Sequence, residues 1–340
     1  MKQFLFFPLL FFCACVKDAP QPVASPPVTV TQDKKVFIVN EGNYGSGNSS
    51  VTLFDPGGVT VVDNYYALQN GGSPGDVAQS MTSGNGKLYI VVNNSGKIVV
   101  CTDELIKTGE ITGLVSPRYM QVVSAGKAYV SDFKSGAISI VNLNTNAVSG
   151  AIACGGWTER MTMLLGKVYV TNMSRGYVYV VDPVKDLIED SVFVGRGCGS
   201  IVSDKNDRLW TLASGDGSTQ SAGRLSCIDP VKRTVISFFE FPGVRSPWNL
   251  AINGTKDALF FLDGDIYRMP VSQATLPSSA FIAKGTRNFY GLGISPHNNV
   301  IYASDALDYT QKSDVYCFDD TGKETRTFKA GINAGYFYFE

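Results

Sequence analysis

The residues best suited to chemistry in this sequence stand in the segment GGWTERM, 155–161, where Trp157, Glu159 and Arg160 follow two glycines. A carboxylate beside a guanidinium could serve as an acid with an electrostatic clamp, as a ligand contact or only as part of a turn. The only histidine, His297, lies in the turn SPHNN. A Ser-His-Asp triad, a Cys-His pair and a His-based zinc site all need a well-placed histidine, and no EF-hand spacing or phosphate-binding loop occurs. The sequence therefore predicts a protein that is not an enzyme, with neither cofactor nor metal.

The cysteines beyond residue 15 do not form a metal motif or a disulfide framework. Cys101, Cys227 and Cys317 each precede an Asp by two residues, at a place that aliphatic residues occupy in other segments. We expect these thiols to pack in the core as small apolar side chains. Cys154 and Cys198 flank glycines, and a disulfide between them is open but not indicated by their spacing.

Composition narrows the class of protein further. The chain has 340 residues, with 29 Lys plus Arg against 30 Asp plus Glu, so its net charge of −1 provides no field that would gather nucleic acid. The 35 glycines, 20 phenylalanines and 16 tyrosines favour short strands separated by frequent turns. These properties predict a folded, mainly β protein that does not bind nucleic acid.

The first residues predict export. Residues 1–15 have an early Lys and an apolar run that is too short to span a membrane as a helix, which is typical of a signal peptide. The ending FCAC resembles a bacterial lipobox, with Cys15 as the lipidated residue and Cys13 as the alternative; a plain signal peptide is the other interpretation. Residues 16–34 are rich in proline and predict a flexible tether. The mature protein is then expected to be lipid-anchored to a membrane.

One unit recurs through the rest of the chain. A short apolar strand with an aromatic at its third place appears seven times, and the intervals between the aromatics are 52, 40, 40, 41, 50 and 42 residues. A Gly-containing turn, a strand that often ends in Asp-Pro, a linking segment and another short strand complete each unit. Four strands in about 40 residues are typical of a propeller blade. The sequence therefore predicts an all-β, seven-bladed β-propeller over residues 35–340.

The two ends of the repeat predict how the ring closes. The first unit lacks its preceding short strand, and the C-terminal segment GYFYFE, 335–340, has no partner of its own. We expect this last strand to complete the blade that begins with KVFIVN and so to remove an exposed sheet edge.

Candidate binding residues lie in the loops of one face of the ring. In a propeller, the starts of the inner strands and the loops between the second and third strands share a rim around a central funnel. Aromatic, Arg and Asn side chains there suit a bulky, partly flat, hydrogen-bonding ligand, although each could instead brace neighbouring blades. The predicted rim residues are Tyr44, Arg118, Tyr119, Trp157, Glu159, Arg160, Arg175, Arg196, Trp248, Asn249, Arg287, Asn288, Phe289, Tyr290 and Tyr336.

A further polar set invites a metal-site interpretation that we do not favour. An Asn or Asp stands three places after the strand aromatic in five units, at Asn40, Asp132, Asn172, Asp263 and Asp305. Such side chains commonly bond the backbone of the turn that follows them. We therefore expect turn residues rather than a ring of metal ligands.

Two resemblances add to this interpretation. The tetrapeptide YVTN at 169–172 and the repeat around it resemble the YVTN-type propellers. The leader, the opening VNEGNYGSGNSSVTLFDP, and the segments WTERM, SPWNLAIN and RNFYGLGISPHNNVIYASDALDY resemble surface propeller lipoproteins of the cobalamin-capturing BtuG type. That resemblance implies an outer-membrane, cell-surface lipoprotein that binds cobalamin or another corrinoid on its funnel face and passes it unchanged to a TonB-dependent transporter. The alternatives are a module that binds a protein or glycan at the cell surface and, less favoured, a propeller lyase or lactonase.

Overall fold

The repeated unit forms one blade of a ring. The computed structural model describes Met1 and residues 32–243 and 245–340, so the predicted signal peptide, the Cys15 and Cys13 alternatives and most of the tether lie outside the described residues. The architecture is an all-β, seven-bladed β-propeller, as predicted. Six sheets have four antiparallel strands and one has three.

The strands follow the ring in chain order. Blades one and two contain β1 (Val36–Asn40), β2 (Ser50–Asp55), β3 (Thr60–Val62), the helix α1 (Tyr65–Asn70) between the blades, β4 (Ala78–Gly84), β5 (Lys87–Val92), β6 (Lys97–Cys101) and β7 (Lys107–Ile111). Blades three and four contain β8 (Pro117–Ser124), β9 (Lys127–Asp132), β10 (Ala137–Asn142), β11 (Ala147–Ala153), β12 (Thr158–Leu164), β13 (Lys167–Asn172), β14 (Tyr177–Asp182) and β15 (Leu187–Phe193). Blades five to seven contain β16 (Cys198–Ser203), β17 (Leu209–Ala213), β18 (Arg224–Asp229), β19 (Thr234–Glu240), β20 (Trp248–Ile252), β21 (Ala258–Asp263), β22 (Asp265–Pro270), β23 (Phe289–Ile294), β24 (Ile301–Asp305), β25 (Lys312–Phe318) and β26 (Glu324–Ile332), and β27 (Ala334–Phe339) is the last strand of the chain.

The core lies between blades. The second strands, such as β5, β9 and β13, are buried along almost their whole length because both faces of each blade pack against a neighbour. Their aromatics, Tyr89, Tyr129 and Tyr169, are each no more than 2% exposed. The outermost strand β19 instead alternates between exposed and half-buried residues. Apolar side chains on both faces of the middle strands thus bind the blades into one ring.

Closure of the ring follows the prediction from the chain ends. β27 is the innermost strand of blade one and pairs antiparallel with β1, with Val36 opposite Phe339 and Phe37 opposite Tyr338. Two backbone bonds outside the strands lengthen the ladder, from Lys34 N to Glu340 O at 2.8 Å and from Glu340 N to Lys35 O at 3.0 Å. The C-terminal strand therefore joins the beginning of the propeller to its end.

Two elements depart from the regular repeat. The described residues form no fourth strand in blade six: the link after β22 pairs with the sheet through an isolated bridge between Ile266 and Ile282, and its Phe281 packs against Phe260. This link contains Pro277 and several small polar residues. Because proline lacks an N–H group, it cannot donate a hydrogen bond to a neighbouring strand, which disfavours a fourth strand here. The other departure is the helix α1, which the repeat in the sequence does not predict.

The cysteines within the described ranges are buried free thiols, so Cys154 and Cys198 are not joined. Cys101, Cys227 and Cys317 belong to the interblade core, as expected. Of the helices that the structure describes, none combines the length and apolar character needed to span a bilayer.

Candidate binding site at the channel and rim

A β-bulge sits at the same level in every inner strand. In each blade the register between the inner and second strands shifts at this level, as between Ala78 and Ser80 in β4 and between Pro117 and Met120 in β8, which has a second shift between Val122 and Ser124. A bulge releases residues from the ladder and re-aims their side chains. The released positions include Gln79, Arg118, Tyr119, Glu159, Arg160, Gly199, Asn249, Tyr290 and Gly335.

Arg118 joins three blades at this level. Its Nε lies 2.7 Å from Glu159 Oε1 of blade four, and its Nη1 donates a hydrogen bond to Gln79 Oε1 of blade two. Trp157 Nε1 donates to the same oxygen of Glu159, and the Arg118 guanidinium lies 5.8 Å from the centre of the indole. Glu159 is 3% exposed. Glu159, the carboxylate of the WTERM segment, is thus paired within the protein.

The other half of the channel is linked in the same way. Tyr290 of blade seven donates its hydroxyl hydrogen to Glu41 Oε2 at 2.8 Å. Asn249 Nδ2 of blade six donates to Tyr290 O at 2.7 Å, and Arg160 Nη2 donates to Asn249 Oδ1 at 3.1 Å. We call the set Glu41, Gln79, Arg118, Glu159, Arg160, Asn249 and Tyr290 the polar ring. Only blade five adds no side chain at this level, because Gly199 stands there.

Burial shapes the protonation of the polar ring. Burial raises the pKa of Glu159 above its ordinary value of 4.5, against the opposing charge of Arg118. Burial likewise raises the pKa of Glu41, against the hydrogen bond from Tyr290. Burial alone would lower the pKa of Arg118, but Glu159 and other neighbours raise it above its usual range. The arginine is therefore charged, and it is the group that makes a buried Glu159 carboxylate tolerable.

Two adjoining cavities lie off-centre on the rim. One, of about 390 Å³, is lined by Trp157, Met173 and Arg196, and the other, of about 590 Å³, by Gln220 and Arg245. Both are also lined by Ser214, Asp216 and Gly217. We call the two cavities together the rim groove. It follows the loop 214–223, which joins β17 to β18 in blade five.

The guanidinium groups of the rim groove remain accessible. The side chains of Arg196 and Arg245 are 48% and 44% exposed. Arg196 Nη1 donates to Ser174 O at 2.9 Å and lies 3.9 Å from Asp216 Oδ2, and Arg245 lies 3.2 Å from Asp263. Ion pairs with this exposure are weak and can rearrange, so both arginines can offer donors to a ligand.

Four other predicted rim residues lie on the same face but outside the polar ring. Tyr44 is 74% exposed, and Trp248 is 36% exposed with its Nε1 donating to Tyr290 O at 3.3 Å. Arg175 lies over Gly155, where a Cβ atom would be 2.3 Å from Arg175 Nη2. Asn288 Nδ2 donates to Leu307 O at 3.3 Å. Tyr44 and Trp248 offer free aromatic surface, whereas Arg175 and Asn288 cover loops.

The structure corrects the prediction for Phe289 and Arg287. Phe289 is 3% exposed and belongs to the core cluster between blades six and seven, because its position is still within the ladder opposite Asp305. Arg287 turns outward, with its guanidinium 4.3 Å from the ring centre of Tyr316 and 2.6 Å from Glu324. Both residues stabilise packing rather than face the channel.

Most of the Asn and Asp residues after the strand aromatics are turn residues, as expected. Asp132 Oδ1 accepts the backbone N–H of Lys134 at 2.7 Å, and Asn172 and Asp305 make equivalent bonds. Asn40 and Asp263 do not follow this pattern. Asn40 Nδ2 reaches across to Ser50 Oγ at 3.1 Å, and Asp263 pairs with Arg245.

His297 lies at the turn between β23 and β24, on the face opposite the rim. Its Nε2 is 3.9 Å from Asp33 Oδ1, and Asp33 is held by Ser295 Oγ at 2.8 Å. This histidine is thus remote from the polar ring, and its neighbours Ser295 and Asn298 hold Asp33, which precedes β1, against blade seven.

Two members of the polar ring were missed from the sequence. Gln79 could have been found, because QSM, RYM, ERM and GSI place Gln79, Arg118, Glu159 and Gly199 in one column of the repeat. Glu41 lies one residue beyond β1, and its place depends on Gly335, where a Cβ atom would lie 2.6 Å from Glu41 Oε1. No local sequence pattern predicts the close approach of Glu41 and Gly335.

The sequence profile of one family, a domain of unknown function called DUF5074, matches residues 34–339. The chain belongs to this family. The matched range coincides with the propeller, so a DUF5074 domain is one complete seven-bladed ring. No curated protein matches the chain in sequence.

Solved structures share the fold of this DUF5074 chain at low identity. A quinonprotein alcohol dehydrogenase-like protein from Bacteroides thetaiotaomicron superposes with a TM-score of 0.69 at 14% identity, over 90% of this chain and 78% of that one. A Lactobacillus plantarum protein gives 0.69 at 12% identity, over 91% and 100%. The periplasmic gluconolactonase of Pseudomonas aeruginosa gives 0.68 at 10% identity, over 89% and 99%. These likenesses concern the fold alone.

Proposed function

We propose that this DUF5074 protein captures a bulky, hydrogen-bonding nutrient in the rim groove, without changing it chemically, and delivers it to an outer-membrane TonB-dependent transporter. A corrinoid, such as cobalamin, is the first candidate ligand, on the resemblance of the sequence to cobalamin-capturing surface lipoproteins. The proposal includes a lipid anchor at Cys15 that holds the propeller at the cell surface.

The observation that carries the proposal is the size and lining of the rim groove. Cavities of about 390 and 590 Å³ lie in the range of small-molecule sites, which is roughly 300–1,000 Å³. Trp157 provides a flat apolar surface at one end, and Arg196 and Arg245 provide planar sets of N–H donors. Amide side chains around a corrin ring would accept such bonds. The polar ring fills the channel below, so a large ligand would rest on the rim rather than enter the funnel.

The same geometry favours binding over catalysis. Glu159, the acidic residue of WTERM, is buried and paired with Arg118, and His297 lies on the other face. Among the residues that the structure describes, no cluster of three or more His, Cys, Asp or Glu side chains could hold a metal ion. A lyase or lactonase would need an acid or base beside the rim groove, where Asp216 is the carboxylate at hand.

The experiment is a calorimetric titration of the full chain, in mild detergent, with cyanocobalamin and with cobinamide. We expect one saturable site, with the ligand recovered chemically unchanged by chromatography. Trp157→Ala should weaken binding by roughly 1 to 4 kcal/mol if the indole is a buried anchor in the complex. Tyr309→Ala is the matched control, since Tyr309 is a 48% exposed aromatic on the rim outside the groove.

Three results would redirect the proposal. Heats equal to those of dilution with both corrinoids would reject the corrinoid ligand. Unchanged affinity in Trp157→Ala, with lower thermal stability, would mean that Trp157 only braces Glu159. Recovery of an altered ligand would reopen the lyase and lactonase alternative.

A second candidate, a module that binds a protein or a glycan, rests on the exposed apolar side chains of the rim face. Tyr44, Val115 and Phe133 are 74%, 60% and 39% exposed. Side chains of this kind suit a protein partner where they form a contiguous apolar patch, and a transporter would itself be such a partner. If corrinoids fail to bind, cross-linking from a photoreactive residue at position 44 would test for a protein at this face.

A further inference from the structure

A separate cavity of about 170 Å³ lies inside the channel, below the polar ring. Its polar lining consists of Ser80, Thr82, Tyr119, Gln121, Arg160 and Tyr336. These residues stand on β4, β8, β12 and β27, level with the bulges or one to three places farther along each strand. The cavity is thus distinct from the rim groove, none of whose lining residues it shares.

Arg160 is the charged group of this cavity. Its guanidinium lies 5.2 Å from the ring centre of Tyr119 and 5.6 Å from that of Tyr336. One of its nitrogens reaches Asn249 Oδ1. Unlike Arg118, it has no carboxylate oxygen within 4.0 Å among the described residues. A guanidinium has five N–H donors, so several of them are left for whatever occupies the cavity.

The charge of Arg160 is maintained in this environment. Burial alone would lower the pKa of Arg160, but Tyr119 and Tyr336 raise it above its usual range. A half-buried cation without a direct counter-charge is costly, and an anion with several acceptor atoms would offset that cost. The hydroxyl groups of Thr82 and the two tyrosines add donors around the same space, whereas the hydroxyl of Ser80 already donates to Arg118 O at 2.8 Å.

We propose that this channel cavity binds one small oxyanion, a carboxylate or a phosphate, with Arg160 as its charged donor. At about 30 Å³ for each water molecule, the space holds roughly five waters, or one small oxyanion with fewer waters. A corrinoid is far too large for it. Because Gln79, Arg118 and Glu159 are joined across the rim side, the anion reaches the cavity along the channel from the opposite face.

The test is a titration of the full chain with inorganic phosphate and, separately, with acetate, at constant ionic strength. We expect a 1:1 site for at least one of them, with a dissociation constant below about 10 mM. Phosphate binding with acetate inactive, or the reverse, identifies the source of the oxyanion. Arg160→Met should weaken binding at least about tenfold, as expected for loss of a charge-assisted contact.

Two further variants keep the test decisive. Thr82→Val keeps the side-chain shape and should weaken binding about threefold to tenfold through the lost hydroxyl, even if Arg160→Met fails to fold. Arg196→Met removes a rim arginine and should leave anion affinity within about twofold. The proposal is overturned if neither anion binds, if Thr82→Val binds as tightly as the parent, or if Arg196→Met alone abolishes binding. None of these outcomes bears on corrinoid binding in the rim groove.

Discussion

The substitution Arg118→Met removes the guanidinium that pairs with the buried carboxylate of Glu159. The side chain of Glu159 is 4% exposed and that of Arg118 is 20% exposed, so solvent cannot replace the lost partner. Breaking a buried ion pair from one side costs roughly 3–5 kcal/mol. We expect a loss of that size in the free energy of unfolding near neutral pH, measured by urea denaturation at an unchanged m-value.

The loss should depend on pH in a defined direction. Burial already raises the pKa of Glu159 above 4.5, and removal of Arg118 raises it further. In the variant, the folded state then holds a proton that the unfolded state has released, so its stability is greatest at low pH and falls as pH rises through the folded pKa. Between the folded pKa of Glu159 in the variant and the lower one in the parent, the cost of Arg118→Met should shrink by about 1.4 kcal/mol for each unit by which the pH is lowered.

The controls isolate the charge. Arg196→Met removes an arginine whose side chain is 48% exposed, and it should change stability by no more than about 0.5 kcal/mol at any pH. The double variant Arg118→Met with Glu159→Gln should recover much of the loss, because Glu159 then carries no charge that needs a partner. A cost for Arg118→Met below about 1 kcal/mol at neutral pH, or one that does not vary with pH, would refute this account of the polar ring.

Three other properties can be checked on the same protein. Deletion of residues 331–340 removes the innermost strand of blade one and should abolish the single cooperative melting transition; unchanged melting would contradict closure by β27. Gly176→Ala should cost at least about 2 kcal/mol, because φ is 75° and a Cβ atom would lie 2.7 Å from Gly195 C, whereas Gly166→Ala, at φ 73° with nothing within 4 Å, should cost only about 1 kcal/mol by differential scanning calorimetry. Burial raises the pKa of the Cys198 thiol to about 12, so alkylation at pH 8 should modify it only after unfolding, and modification of the native protein would show that blade five opens locally.

The fold could be predicted from the sequence because a short strand pattern specifies each blade and recurs along the chain. KVYVTN and its relatives alternate between two interblade faces that are both apolar, so each unit specifies the same four strands. The pairing of β27 with β1 followed from one missing strand and one surplus strand. The missing edge strand of blade six was less evident, since Pro277 interrupts a link whose length is otherwise ordinary.

The candidate site could be predicted only in part, because β-bulges determine which rim side chains meet. Which rim residues meet depends on the bulges, and a bulge turns two consecutive side chains in directions that alternation does not anticipate. Arg118 and Glu159, 41 positions apart in the chain, become partners because two bulges lie at the same height. Phe289 was misplaced by one residue for the same reason: it precedes the bulge that releases Tyr290.

Blade five combines two departures from the repeat, and together they explain why the rim groove lies where it does. Its loop 214–223 has ten residues between β17 and β18, whereas residues 173–176 suffice between β13 and β14. The same blade has Gly199 at the level of the polar ring, and a Cβ atom there would lie 3.4 Å from Sδ of Met173, so Met173, which lines one end of the groove, takes the place of a ring side chain. The extra residues of loop 214–223 are not needed to form the four strands of the blade, so they can form a ligand-specific surface. Substitutions in loop 214–223 should therefore alter ligand choice with little effect on stability, whereas substitutions in the polar ring should do the opposite.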